Sequence, residues 1–254
     1  DQMPNQSHAA LVPEDYESAA RKLRDMVTTI EFTMISVIAG VMLFPWMEAA
    51  APLVRNLQVE YWVYAAGMLI TVMFYWVALI DHAMTFVGWP IDIIHNLFYL
   101  LVFPAIGVLV HFIADPPTFY PMFFVTDFCA LLLTSYDLYV IRSRLAAARG
   151  AEAELFTAAY SRQATLVRYV LAALVFAGLS TVLINAFPDF FIGQHAHVVI
   201  GVLSLLFVLF LLLRECAELN GMRNRMLRRM AEEMASERQA RRPEEVEQAT
   251  GPAV

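Results

Sequence analysis

Six stretches of nearly continuous apolar residues alternate with short polar segments along the chain. They run over about Met26–Met47, Val59–His82, Ile91–Ile113, Phe119–Ile141, Leu166–Phe187 and Val198–Leu213. A helix rises about 1.5 Å per residue, so about 20 residues cross roughly 30 Å of hydrocarbon. In lipid every backbone polar group needs a partner within its own segment, which makes such runs helices. The pattern therefore predicts an all-α polytopic membrane protein, with about six transmembrane helices bundled over residues 26–213. Trp46, Trp62, Trp89, Tyr61 and Tyr120 fall near predicted ends, where an interfacial aromatic belt belongs. Pro52, Pro116, Pro117 and Pro188 mark short turns.

The polar segments differ in kind. Residues 1–25 form an N-terminal segment. Ser143–Gln163 is rich in Ala, Arg and Glu, and it reads as helical extensions of the fourth and fifth spans broken at Gly150. In residues 214–242, Leu219, Met222, Met226, Met230 and Met234 recur every three or four positions, the spacing of one helical face. Such a face suits a coiled coil, a partner helix or a membrane surface. Residues 243–254 are acidic and read as a disordered tail.

Charge orients the bundle. Every Lys and Arg except Arg55 falls on one side of this topology. Both termini and the middle loop are therefore expected in the cytoplasm, in a bacterial inner membrane. Composition agrees with the class: 59% of residues are hydrophobic, against about 45–50% in soluble domains. Nucleic acid is excluded as a partner, because topology already accounts for the basic residues. Cys129 and Cys216 are too few for a disulfide framework and read as packing residues.

Candidate chemistry lies with ionisable residues inside the spans, where a charge costs about 2.5–3.5 kcal/mol or more. Glu31 sits seven residues past Arg24 on the first span. Asp81 and His82 end the second, Asp92 and His95 begin the third, and Asp137 lies near the inner end of the fourth. This makes one cytoplasm-facing acidic and histidine layer from four helices. Asp92, His95, Asn96 and Tyr99 stand at i, i+3, i+4 and i+7, so they share a face. That stripe either lines a site or locks to Asp81 and His82 across the turn. Asp137 has Arg142 and Arg144 as alternative partners.

A second polar layer lies on the other side. Glu48, Glu60, Asp115, Asp189, His195 and His197 stand at loop edges and are expected to be solvated. Asp127, well inside the fourth span, and His111 form a candidate outer mouth. His195 and His197 have the wrong spacing for one helix face. No HExxH motif, nucleophile triad or phosphate-binding glycine loop occurs. No metal or cofactor is identified, and enzyme activity is undecided.

The segment Tyr75–Pro104 resembles part of the six-helix potassium-channel family of bacteria and lysosomes. Trp76, His82, Asn96 and Pro104 occupy places similar to that family's Trp, His, Asn and Pro. The family's Arg followed by Phe-Ser-Asp is absent: here Arg24 is followed by an acid, Glu31, two turns later. The resemblance covers about 30 residues. It implies an oligomeric, potassium-selective pore lined mainly by the first helix, with Ile35, Ile38 and Met42 as candidate constrictions.

The reading is an integral membrane cation channel or transporter that assembles as a homo-oligomer in the lipid bilayer. The inner layer would concentrate cations, with His82 and His95 as titratable elements and an apolar neck as gate. One alternative is a membrane-anchored structural or regulatory subunit docking a protein partner through residues 214–242. A third is a membrane metalloenzyme using Glu31, Asp92, His95 and Asp137.

Overall fold

A computed structural model describes residues 40–85 and 93–221, together with Thr33, Ser36, Val37 and Ile38. Among the described residues the protein is helical, with no strand. Helix α1 spans Ser36–Arg55. A single 3-10 turn, Val59–Tyr61, leads into α2, Trp62–Thr85. Helix α3 is Ile93–Val110, α4 Pro116–Ala147 and α5 Ala151–Ala186. A one-turn α6, Pro188–Phe191, precedes α7, His197–Gly221.

Five segments are long and apolar enough to cross a membrane: α1, Val59–Ala78 at the start of α2, α4, the stretch Phe156–Ala186 of α5, and α7. Helix α3 carries a shorter apolar stretch, Leu101–Val110. The faces turned away from the bundle are apolar too. Val175, Leu179 and Val182 of α5 and Val199, Leu206 and Leu213 of α7 are all exposed. Water would penalise so large an apolar surface, whereas lipid tails would not.

The helix bounds correct the sequence reading in one place. The first span was expected to end at Pro45-Trp46, but α1 continues to Arg55. Proline removes one backbone donor, and packed neighbours make that tolerable in a membrane bundle. Pro104 and Pro121 likewise sit inside α3 and α4. The break at Gly150 is where composition put it, with φ at +60°, a conformation glycine adopts without strain.

Helix α4 is the central element, packed along α5 and against α3. Its buried residues include Pro116, Tyr120, Phe123, Asp127, Ala130, Thr134, Asp137 and Ile141. These alternate by three and four, which draws one continuous stripe down the helix. At the Pro116 end of the bundle this stripe joins a core of Met68, Val72, Val102, Ile106, Leu109 and Ile113. Two indoles fasten α1 to α2. Trp46 Nε1 donates to Ala65 O at 2.7 Å, and Trp62 Nε1 to Leu53 O at 3.3 Å.

Candidate functional site

Three polar groupings interrupt the apolar interior. They lie at the two ends of the bundle and in the middle of α4.

At the Gly150 end, α5 and α7 are joined by ion pairs. The Arg162 guanidinium bonds the Glu215 carboxylate, and its Nε reaches Glu218 at 2.7 Å. Arg214 contacts Glu218 at 2.6 Å and Glu215 at 3.4 Å. Its guanidinium also lies over the Tyr169 ring, 5.2 Å from the centroid. Glu215 is only 2% exposed, so these partners are what let it remain charged there. Gln163 adds a bond from Nε2 to Thr134 O on α4, at 3.0 Å. Arg162 and Arg214 had read only as markers of membrane orientation. The Arg162–Glu215 pairing across 53 residues leaves no local signal, whereas Arg214 and Glu218 at i and i+4 are a pair the helical spacing offers.

At the Pro116 end, His197 is buried at 1% exposure, which corrects the expectation of a solvated loop-edge residue. The first turn of α7 carries it against α2. There the Tyr64 hydroxyl lies 3.0 Å from its Nδ1 and 3.0 Å from its carbonyl oxygen. The Tyr61 ring stacks on it at 5.9 Å, and the exposed His195 ring stands 6.0 Å away. Gly201, one turn further along α7, permits this approach: a Cβ there would meet Val63 Cγ1 at 2.9 Å. Tyr120, expected in the interfacial belt, is a core residue with no exposed surface, and its hydroxyl has no hydrogen-bond partner among the described residues.

Between these ends lies Asp127, eleven residues into α4. At about 1.5 Å per residue that is roughly 16 Å from the Pro116 end and 30 Å from the Ala147 end. Asp127 is 7% exposed, and its Oδ2 has no hydrogen-bond partner among the described residues. The Tyr75 phenol of α2 lies within its electrostatic reach. Thr126 beside it is occupied with its own helix, donating to Met122 O at 2.9 Å. An ionisable group at this depth without a partner is costly unless it exchanges a proton or binds a cation.

The remaining expected site residues are distributed as follows. Asp137 is buried on the same α4 stripe, ten residues beyond Asp127. His111 is exposed in the turn after α3. Asp81 and His82 lie on α2, and His95, Asn96 and Tyr99 on α3; their side chains are outside what the structure describes. Glu31, Asp92 and Ile35 lie outside the described residues altogether. Ile38 is half-buried, and Met42 packs into the core, where a Cβ on Gly107 would come within 3.4 Å of its Cε. Among the described residues, no three His, Cys, Asp or Glu side chains converge as a metal site. Cys129 is half-buried and Cys216 exposed, both free thiols.

Compared with protein-family models, curated proteins and solved structures, the chain matches none.

Proposed function

We propose that the protein moves a cation through its helix bundle across a bacterial inner membrane, and that Asp127 is the carboxylate the ion engages in transit. The observation that carries this reading is the state of Asp127. It is buried in a helix long and apolar enough to span a membrane, and one of its oxygens has no hydrogen-bond partner among the described residues. Intramembrane acids of this kind line ion paths and proton relays. Asp137 on the same stripe extends the acidic path towards the Gly150 end, and the inner layer of Glu31, Asp81, His82, Asp92 and His95 completes it. The resemblance of Tyr75–Pro104 to potassium channels makes K⁺ one of the ions to test, in an oligomer as well as a single bundle.

The test is flux from liposomes holding the purified full chain, with K⁺, Na⁺ and H⁺ gradients imposed separately. Wild-type protein is expected to pass at least one of them. Asp127→Asn, folded to the same extent, is expected to lose that flux by tenfold or more. Undiminished flux in Asp127→Asn would remove the reading.

A second reading has one observation in its favour. The ion pairs of Arg162 and Arg214 anchor α7 to α5 just where the chain leaves the bundle, and they would hold a docking helix in residues 214–242 firmly. Leu219, the first apolar residue of that helix's face, packs onto the bundle core instead; Met222, Met226, Met230 and Met234 lie outside the described residues and would be the partner's contacts on this reading. Truncation after Gly221 distinguishes the readings: a conductor keeps its flux, and a docking subunit loses its partner.

A further inference from the structure

His195 and His197 are separated by one residue, a spacing that turns two side chains apart when both lie on a helix. The structure removes that objection, because His195 stands before α7 and only His197 lies on it. The backbone at His195 takes a φ of +56°, a left-handed conformation uncommon outside glycine. Such conformations cluster at ligand sites. With that turn in place, the two imidazole rings stand 6.0 Å apart between centroids and are inclined by 58°. His195 is exposed and His197 is buried, so the pair runs from the surface of the Pro116 end into the α2–α7 seam.

The Tyr64 hydroxyl decides which nitrogen of His197 is available. It lies 3.0 Å from Nδ1 and 3.0 Å from the carbonyl oxygen of the same residue. A hydroxyl has one proton to give, and a carbonyl oxygen only accepts. Both contacts are satisfied when Tyr64 donates to the carbonyl and Nδ1–H donates to the Tyr64 oxygen. The neutral ring then carries its proton on Nδ1 and its lone pair on Nε2. Metal-ligating histidines are held in this way, with the second ring nitrogen donating to an oxygen that fixes tautomer and orientation. The stacked Tyr61 ring packs against the same imidazole. We propose that His195 and Nε2 of His197 bind a divalent transition-metal ion of the Zn²⁺, Cu²⁺ and Ni²⁺ class, which favours imidazole.

The ring separation fits one shared ion. Metal–nitrogen bonds of about 2.0–2.1 Å place two ligating ring centroids about 5–6.5 Å apart, and the observed 6.0 Å lies inside that interval. Charge favours a cation as well. Among the described residues, Glu48, Glu60, Asp115 and Asp189 stand at this end of the bundle, with Arg55 as the one Lys or Arg there. No third His, Cys, Asp or Glu converges with the pair among the described residues. The site is therefore an open one of two imidazoles, with water or a small ligand in the remaining positions, unlike the closed four-ligand sites of structural zinc. A bound ion ties the turn before α7 to α7 itself, and through Tyr64 it clamps α7 against α2. The site makes no use of Asp127 and stands whether or not that residue serves an ion.

The test is titration of the full-length protein, purified in detergent without a histidine tag, with Cu²⁺ and with Zn²⁺. Wild type is expected to bind Cu²⁺ with an electron paramagnetic resonance spectrum split by two imidazole nitrogens, and Zn²⁺ is expected to raise its unfolding midpoint. His195→Ala changes an exposed side chain and keeps the fold. It is expected to bind at least tenfold more weakly, to lose one nitrogen from the spectrum and to lose the Zn²⁺ shift. His111→Ala, an exposed histidine outside the pair, is expected to behave as wild type. Tyr64→Phe frees Nδ1 and is expected to weaken binding about tenfold, the lower end for loss of such a supporting bond; unchanged affinity in the folded variant would overturn the tautomer assignment. Equal affinity in wild type and His195→Ala, an adventitious ion only, would overturn the site, and so would a wild type that binds neither metal.

Discussion

At the Gly150 end of the bundle, the buried Glu215 carboxylate meets two guanidinium groups. In the middle of α4, the comparably buried Asp127 leaves Oδ2 without a hydrogen-bond partner among the described residues. Both acids lie on helices apolar enough to span a membrane. Burial alone therefore does not separate an acid that holds the fold from one that serves a passing ion; the partners do. Glu215 sits in a network that also takes in Arg162, Arg214 and Glu218, and its removal would leave two half-buried guanidinium groups sharing Glu218 alone. Asp127 strands no paired charge when its own is removed, because no described residue bonds that oxygen.

The largest expected effect belongs to the paired end. Glu215→Ala should destabilise the bundle by about 3 kcal/mol, the lower part of the range for breaking a buried ion pair, because Arg162 keeps Glu218. Denaturant unfolding in detergent, followed by helical signal, measures it. Replacing Arg162 and Glu215 together by Met and Leu should recover most of the loss, since apolar residues of similar volume can substitute for a buried pair. A neutral Glu215→Ala would erase the contrast with Asp127.

Next comes the α2–α7 seam, where shape rather than charge is limiting. A methyl on Gly201 would stand 2.9 Å from Val63 Cγ1 and 3.3 Å from Tyr64 Cζ. Gly201→Ala should therefore cost about 1–3 kcal/mol through overpacking, read in the same unfolding assay. It should also disturb the Tyr64–His197 contact, whereas Glu215→Ala should not.

How far the sequence foretells this contrast depends on which contacts are local. The α4–α5 hairpin is readable because Gly150 interrupts an Ala-, Arg- and Glu-rich run, and the backbone there needs a positive φ. Asp127 is readable as an acid deep in an apolar run. Its missing partner is not, since that depends on which side chains α2 and α5 turn towards α4. The Arg162–Glu215 pair spans 53 residues, and until the helices pack, both look like ordinary charges at the ends of spans. Tyr120 and His197 mislead for a related reason. Their distance from the span ends suits an interface, but the close approach of α7 to α2 at Gly201 folds them inward. Pro45 misleads because proline ends helices in water more strictly than in a packed bundle.

The smallest expected effect lies at the rim of the ion-pair network. The Glu218 side chain is 33% exposed, and pairs of that kind contribute about 0–1 kcal/mol. Glu218→Gln should lower stability by less than 1 kcal/mol, and high salt should mask the difference. A loss as large as that of Glu215→Ala would mean that the two acids act as one unit.

The central claim is that Asp127 is a functional acid and not a structural one. The direct measurement takes Asp127→Asn and wild type through unfolding and liposome ion flux on the same preparations. The account predicts an unfolding free energy held or raised, together with flux reduced at least tenfold. A loss of several kcal/mol in stability, with flux per folded molecule unchanged, would make Asp127 a second Glu215 and contradict the account.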